Sequence, residues 1–160
     1  MVSCSRRRAL GLIAVALVSA CVSRPEPASE DLATRSMPLY PNETPELRRL
    51  IVAAARENEV PLELVQRVIV RESTHRPGAR NGPYYGLMQI LPATARTMGY
   101  RGSPEGLLDA ETNLRYAVRY LRGAWLLSDG SHDRAVMWYA RGYYYEAKRR
   151  GMLVETGLRG

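Results

Sequence analysis

Glu72 is the residue whose placement most suggests chemistry. Apolar residues precede it by seven, four and three positions, at Val65, Val68 and Ile69, so on a helix all four side chains share one face. A carboxyl in a partly apolar cleft has a raised pKa because burial penalises its charged form, and it can then serve as a general acid. The pattern alone also allows Glu72 to turn to solvent or to pair with a nearby arginine (Arg67, Arg71 or Arg76).

The elements that must position Glu72 are helices. Thr44 and Pro45 are typical of an N-cap and of the first position of a helix. Apolar periodicity predicts helices over 45–58, 61–73, 92–98, 111–127 and 133–150, with a loop at 74–84 and a short turn or half-helix at 86–90. No stretch alternates as a strand does, so we expect a single all-α domain of five to six helices with no significant sheet.

The first 20 residues predict a signal peptide. Arg6-Arg7-Arg8 forms a basic start, and the apolar run 9–20 is too short to span a bilayer as a mature helix. The following Val18-Ser19-Ala20-Cys21 resembles a bacterial lipobox, which implies that Cys21 becomes the lipid-bearing first residue of the mature protein. The alternatives are an ordinary signal peptide cleaved near Ala20, which leaves a free thiol, and a retained N-terminal anchor.

The chain thus divides into three parts. Residues 1–20 form the signal peptide, the proline-containing stretch 21–43 predicts a flexible tether, and residues 44–160 form the domain. Cys4 belongs to the signal peptide, so the mature chain has only Cys21 and no intrachain disulfide. The signal peptide and Cys21 predict an exported lipoprotein. Val22, in place of an aspartate after Cys21, favours the periplasmic face of the outer membrane in a cell with two membranes.

The net charge narrows the class of partner. The chain carries a formal charge of +7, and removing Arg6, Arg7 and Arg8, with no acidic residue in the first 20, leaves +4. This modest excess suits an anionic glycan of the cell wall or an anionic membrane surface, and an exported address argues against nucleic acid. His75 and His132 are far apart in sequence and have no acidic cluster or cysteine beside them, so we expect no metal and no other cofactor.

Three segments in order carry a family resemblance. They are Glu72-Ser73, the stretch Gly86-Leu87-Met88-Gln89-Ile90-Leu91-Pro92-Ala93-Thr94-Ala95, and Asn113-Leu114-Arg115-Tyr116-Ala117-Val118-Arg119-Tyr120-Leu121. Together they resemble the catalytic domain of soluble lytic transglycosylases, relatives of goose-type lysozyme. The resemblance implies a lysozyme-like helical domain with a cleft for peptidoglycan glycan strands.

A fourth family segment, Ala-Tyr-Asn-Ala-Gly, is altered in this chain. It reads Trp138-Tyr139-Ala140-Arg141-Gly142, so Tyr139 and Gly142 match while the asparagine and the small residue are replaced. The replacement puts fine substrate selection in doubt. Arg141 could offer a cation to a lactyl or stem-peptide carboxylate, or it could be a solvated helix residue.

The resemblance implies the chemistry and the site residues. Glu72 would donate a proton to the β-1,4 glycosidic oxygen between N-acetylmuramic acid and N-acetylglucosamine and then accept one from the muramoyl C6 hydroxyl, which leaves a 1,6-anhydro end. Four further residues are assigned to substrate binding, namely Ser73, Met88, Gln89 and Tyr139. Ser73 could instead act only as a helix C-cap.

Two other functions stay open on the same fold. A hydrolytic muramidase would need a second carboxylate to activate water. Asp109, Glu111 and Asp133 are present, but none lies in a motif that requires this role. The altered segment at Ala140 and Arg141 also allows a non-catalytic protein that binds or scaffolds peptidoglycan.

Overall fold

Six short or medium-length helices dominate the part of the chain that the structure describes. The computed structural model describes residues 37–159, so the predicted signal peptide, Cys21 and most of the predicted tether lie outside it. The helices are α1 (Pro45–Glu57), α2 (Leu62–Glu72), α3 (Pro92–Thr97), α4 (Ala110–Leu126), α5 (His132–Arg141) and α6 (Tyr144–Arg149), with a 3-10 helix at Pro104–Leu108. The predicted all-α class is confirmed.

A minimal hairpin interrupts the helices within the predicted loop. Strands β1 (Arg80–Asn81) and β2 (Tyr84–Tyr85) pair antiparallel, with Arg80 opposite Tyr85. The two residues between the strands include Gly82, whose φ of 57° suits a tight hairpin turn. The hairpin leads the chain from the end of α2 into the turn that faces Glu72.

The helix starts follow from local capping. The Thr44 hydroxyl accepts the Leu47 N–H at 3.1 Å, with Pro45 in the first turn of α1, as predicted. The Asp109 carboxylate caps α4 by accepting the Thr112 N–H at 2.8 Å. These bonds satisfy donors that the first turn of a helix leaves without partners.

Helix α4 is the central element of the core. It packs against α1, α3, α5 and the 3-10 helix, while α2 packs against α1 and α5. Its buried face includes Leu114, Ala117, Val118 and Leu121. The fully buried residues Val65, Val68 and Ile69 of α2 lie in the same core, which places Glu72 at its margin.

The predicted single helix over 133–150 is wrong. Gly142 breaks it, with φ 81° and ψ 146°, a conformation that favours glycine and is not helical. The break turns Tyr143 into the core, where its hydroxyl donates to Tyr120 O at 2.8 Å and its ring stacks on the Tyr120 ring. Burial of Tyr143 favours two helices over one continuous helix.

Residues 38–43, which the sequence assigns to the tether, pack on the domain. Glu43 is buried, and both its carboxylate oxygens are bonded to the Arg48 guanidinium at 2.6 Å. Tyr40 stacks on the ring of His75 at 5.0 Å. The compact unit therefore begins at Pro38.

Candidate active site

Glu72 is the last residue of α2 and its carboxyl is only partly covered. Its side chain retains 24% of its exposure. Burial raises the pKa of Glu72, and the Arg71 guanidinium, 3.4 Å away, offsets part of that rise. The carboxyl thus keeps the two properties that a general acid needs, access to solvent and a raised pKa.

Of the three arginines close to Glu72 in sequence, two bond to other groups. Arg67 pairs with Asp133 of α5 at 2.5 Å, and Arg76 Nε donates to the backbone oxygen of Ser73 at 2.9 Å. Arg71 does contact Glu72, but its side chain is about half exposed, so solvent weakens the pair. The pairing alternative therefore applies to Arg71 and leaves the pKa of Glu72 raised.

Ser73 ties the end of α2 to the turn that faces it. The residue is buried and is the C-cap of α2, and its hydroxyl donates to Leu87 O at 2.7 Å. Since Ser73 directly follows Glu72, this bond fixes the carboxyl relative to the Gly86–Gln89 turn. Direct contact between Ser73 and a substrate stays a prediction.

The side chain of Asn113 supports the Gly86–Gln89 turn through hydrogen bonds to the backbone. Its side chain is fully buried in α4; Oδ1 accepts the Met88 N–H at 3.0 Å, and Nδ2 donates to Tyr85 O and Leu107 O, each at 2.8 Å. Gly86 has φ 77°, and a Cβ there would collide with the Asn113 amide and Leu107 O. The sequence places Asn113 in a matching motif, but nothing local to it reveals this role.

Tyr139 reaches the same turn from α5. Its buried hydroxyl donates to Met88 O at 2.8 Å. Burial raises the pKa of Tyr139 well above its usual range, and the nearby Glu72 and Tyr120 raise it further. The structure therefore brings Tyr139 and Glu72 close together. Met88 is fully buried, so its backbone contributes to the site while its side chain lies in the core.

Gln89 ends the turn with its amide in a defined orientation. The backbone has φ 48°, and Nε2 donates to Gly86 O at 2.8 Å and Ala79 O at 3.1 Å. These bonds leave the side-chain oxygen as the free end of the amide; it can only accept, and no described residue donates to it. It can accept an N–H or O–H from a sugar.

A groove opens beside Tyr139. Its free volume, open solvent included, is about 610 Å³. It is lined by Tyr84, Gln89, Ile90, Leu91, Thr94, Tyr120, Tyr139, Ala140, Arg141 and Gly142. Glu72 does not line the groove itself. Tyr139 joins the two, because it lines the groove and the charge of Glu72 acts on its hydroxyl.

No carboxylate lines this groove among the described residues. Of the candidates for a second acid, Asp109 caps α4, Glu111 pairs with Arg115 at 3.1 Å, and Asp133 pairs with Arg67 on the surface. Tyr84 lines the groove and is exposed, whereas Tyr85 is buried. Tyr84 is thus the one of the two that can stack on a sugar.

The sequence did not predict the buried polar cluster formed by Glu43, Arg48, Gln66 and His75. Gln66 Nε2 donates to Glu43 at 3.0 Å, so Gln66 Oε1 faces His75 Nε2, 2.6 Å away, and that nitrogen carries the proton. Burial alone would raise the pKa of Glu43, but hydrogen bonds from Arg48, the Tyr40 N–H and Gln66 lower it to about 2. Burial also lowers the pKa of His75. The cluster holds the chain that follows Glu72.

Among residues 37–159, no group of three or more His, Cys, Asp and Glu side chains is arranged to hold a metal ion. Within the same range, no helix has the length and apolar character needed to cross a membrane.

The family model described as Transglycosylase SLT domain matches residues 49–150, more than half of the chain. The match runs from α1 to the end of α6 and includes Glu72, the Gly86–Gln89 turn and Tyr139. No match was found among curated proteins or among solved structures.

Proposed function

The chain belongs to the Transglycosylase SLT domain family, and on that premise we propose that it is a peptidoglycan lytic transglycosylase with Glu72 as its sole acid/base. The substrate bond is the β-1,4 link from N-acetylmuramic acid to N-acetylglucosamine. The product is a strand with a 1,6-anhydromuramoyl end. Membership supports a peptidoglycan-acting enzyme of the lytic transglycosylase type, and the site supports the finer assignment.

The proposed reaction balances without water. Protonated Glu72 gives its proton to the glycosidic oxygen, so the C1–O bond breaks and N-acetylglucosamine leaves with a free 4-hydroxyl. The C6 hydroxyl of the same muramoyl residue then attacks C1, and the Glu72 carboxylate takes its proton. The nucleophile belongs to the substrate, so its proximity is built in and one carboxyl can serve both steps.

One observation carries this proposal. The half-buried carboxyl of Glu72 has a raised pKa, and no carboxylate lines the groove beside it. Glycosidases that use water normally need a second carboxylate as nucleophile or base. A single carboxyl with a raised pKa is better matched to an intramolecular hydroxyl than to hydrolysis.

The other site residues take supporting roles in this proposal. The Gln89 side-chain oxygen accepts a hydrogen bond from the substrate, and Tyr139 lines the groove close to Glu72. Ser73 and the Met88 backbone hold the turn against α2 and α5. Ser73 and Met88 therefore act on substrate mainly by positioning, since both side chains are buried.

Digestion of purified sacculi followed by mass spectrometry tests the assignment. We expect the wild type to release muropeptides with anhydro ends, and Glu72→Gln to lose at least about 10²-fold in rate. Glu111→Gln is the matched control, because Glu111 is an exposed carboxylate paired with Arg115 outside the groove. Reducing ends in place of anhydro ends would assign a hydrolytic muramidase.

A non-catalytic role is the second candidate. It is motivated by Ala140 and Arg141, which stand in the groove where the family pattern has asparagine and a small residue. If the wild type releases no muropeptides while wild type and Glu72→Gln bind sacculi equally, the enzyme assignment fails and a glycan-binding protein remains.

We further propose that the mature protein is exported and anchored by lipid on Cys21, at the periplasmic face of the outer membrane. The support is the sequence Val18-Ser19-Ala20-Cys21 after a basic and apolar start, which lies outside the described residues. Metabolic labelling with a fatty acid, followed by membrane fractionation, tests it. Cys21→Ser should abolish both label and membrane association, and unchanged label would contradict the proposal.

A further inference from the structure

Arg141 is the only charged residue among those that line the groove. It is the last residue of α5, and the break at Gly142 ends the helix there. The remaining lining is neutral, with tyrosine rings, a glutamine amide, a threonine and aliphatic side chains. A neutral groove with aromatic rings suits a sugar, and a single guanidinium in it adds a site for one negative charge.

The charge of Arg141 is not neutralised by a carboxylate of the described chain. Its guanidinium makes a weak contact, from Nη1 to Met137 Sδ at 4.0 Å on the same helix, and the residue is exposed. Many other arginines do contact acidic side chains, among them Arg48, Arg49, Arg67, Arg115, Arg122, Arg134, Arg149 and Arg150. Arg141 therefore has its guanidinium available to a ligand in the groove.

We propose that Arg141 binds a carboxylate of the glycan strand and makes the enzyme selective for strands that carry one near the cleaved bond. The inference rests on the proposed function, whose substrate carries such groups. A guanidinium can bind a carboxylate through two parallel hydrogen bonds, which gives direction as well as charge. The carboxylate belongs either to the lactyl group, free where the stem peptide is absent, or to the stem peptide itself.

The experiment compares three forms of the same strands. The first carries stem peptides, the second has been freed of them by an amidase so that the lactyl carboxylate is exposed, and the third has its carboxylates converted to neutral methylamides. Steady-state rates are measured for the wild type, Arg141→Ala and Arg141→Lys. Arg49→Ala is the control, since it also removes one positive charge but from an exposed pair with Glu46 on α1.

For Arg141→Ala we expect kcat/KM on a carboxylate-bearing strand to fall about 5- to 20-fold relative to the methylamide strand, mainly through KM. Arg141→Lys should restore part of the selectivity, because it keeps the charge and loses the two-point geometry. Arg49→Ala should keep the wild-type ratio. If Arg141→Ala loses kcat/KM only on stem-free strands, the lactyl group is the source of the bound carboxylate. If it loses kcat/KM only on stem-bearing strands, the stem peptide is the source.

Failure of this inference can be told apart from failure of the proposed function. If the wild type forms anhydro ends and Arg141→Ala keeps the same preference for charged strands, the Arg141 proposal is overturned and the transglycosylase proposal stands. If the wild type cleaves nothing, calorimetric binding of the same strands to Glu72→Gln and to Glu72→Gln/Arg141→Ala decides. Equal affinities of the two proteins for the charged strands would then overturn the role of Arg141.

Discussion

Replacing Asn113 by alanine should damage both the stability of the domain and its activity. The buried side chain of Asn113 joins three backbone groups, the Met88 N–H, Tyr85 O and Leu107 O. All three lie in or beside the turn that faces Glu72. The substitution therefore removes the internal support of the site without touching a residue that would meet substrate.

The magnitude follows from which of these groups lose their last partner. Tyr85 O still accepts the Ile90 N–H at 3.1 Å, so it remains bonded. The Met88 N–H and Leu107 O are left buried without the amide, and each such group costs about 1–3 kcal/mol. A water that enters the small cavity offsets part of this, so we expect a loss of about 3 kcal/mol in the free energy of unfolding.

Urea unfolding and single-turnover cleavage measure the two effects. A loss of about 3 kcal/mol lowers Tm by roughly 10–15 °C in a domain of this size. The turn also shifts relative to Glu72, so kcat should fall about 10- to 100-fold even well below the melting temperature. Asn113→Asp, which fills the same volume but turns an oxygen toward two carbonyls, should be at least as unstable as Asn113→Ala.

The control is Asn58→Ala, which removes one side-chain bond, from Nδ2 to Ala54 O at 2.9 Å, at the partly exposed end of α1. It should cost no more than about 1 kcal/mol and leave kcat unchanged. The idea that this amide supports the turn is refuted if the free energy of unfolding of Asn113→Ala lies within about 0.5 kcal/mol of the wild-type value and the variant cleaves at the wild-type rate.

Three further outcomes are expected. Tyr139→Phe strips the donor from Met88 O, so it should lower the free energy of unfolding by about 1–2 kcal/mol by urea titration and reduce kcat. Gly86→Ala places a Cβ against the Asn113 amide at a φ of 77°, and should cost about 2 kcal/mol or more by the same assay. The pKa of Glu43 falls from 4.5 to about 2 on folding. The ionised carboxylate should therefore contribute about 3 kcal/mol to the free energy of unfolding. This contribution is fully present above pH 4.5 and is lost as the pH falls towards 2. Glu43→Gln should flatten that loss in unfolding curves measured between pH 7 and pH 2, and an unchanged pH dependence would contradict it.

Local features of the fold were predictable from sequence because they depend on near neighbours. The Thr44 cap with Pro45 and the apolar face that ends at Glu72 are set within one or two helical turns. The raised pKa of Glu72 follows from the same placement, since burial at the end of that face is its main cause. Periodicity and capping chemistry therefore predicted the helix that ends at Glu72 and the apolar face that the residue shares, while its role as the acid stays a proposal.

Features that depend on distant contacts were not predictable in this way. The break at Gly142 is stabilised by burial of Tyr143 against Tyr120, 23 positions earlier in the chain. Glu43 bonds to Gln66, also 23 positions away, and Asn113 bonds to Met88 across 25. A glycine and a tyrosine inside an apolar period look like helix until the partner that buries the tyrosine is known.

Burial raises the pKa of Glu72, and the hydrogen bonds of its neighbours leave that rise in place. Ser73 donates its hydroxyl to Leu87 O and Tyr139 donates its hydroxyl to Met88 O, so neither donates to the carboxylate. A carboxylate that accepts hydrogen bonds has a lowered pKa, as Glu43 does with donors from Arg48 and Gln66. The buried Glu43 and the partly exposed Glu72 thus differ in the hydrogen bonds that their carboxyl oxygens accept, and only Glu72, where burial outweighs the charge of Arg71, has a raised pKa. Internal bonding of its neighbours therefore fixes the turn and leaves Glu72 with the raised pKa that its proposed role as an acid requires.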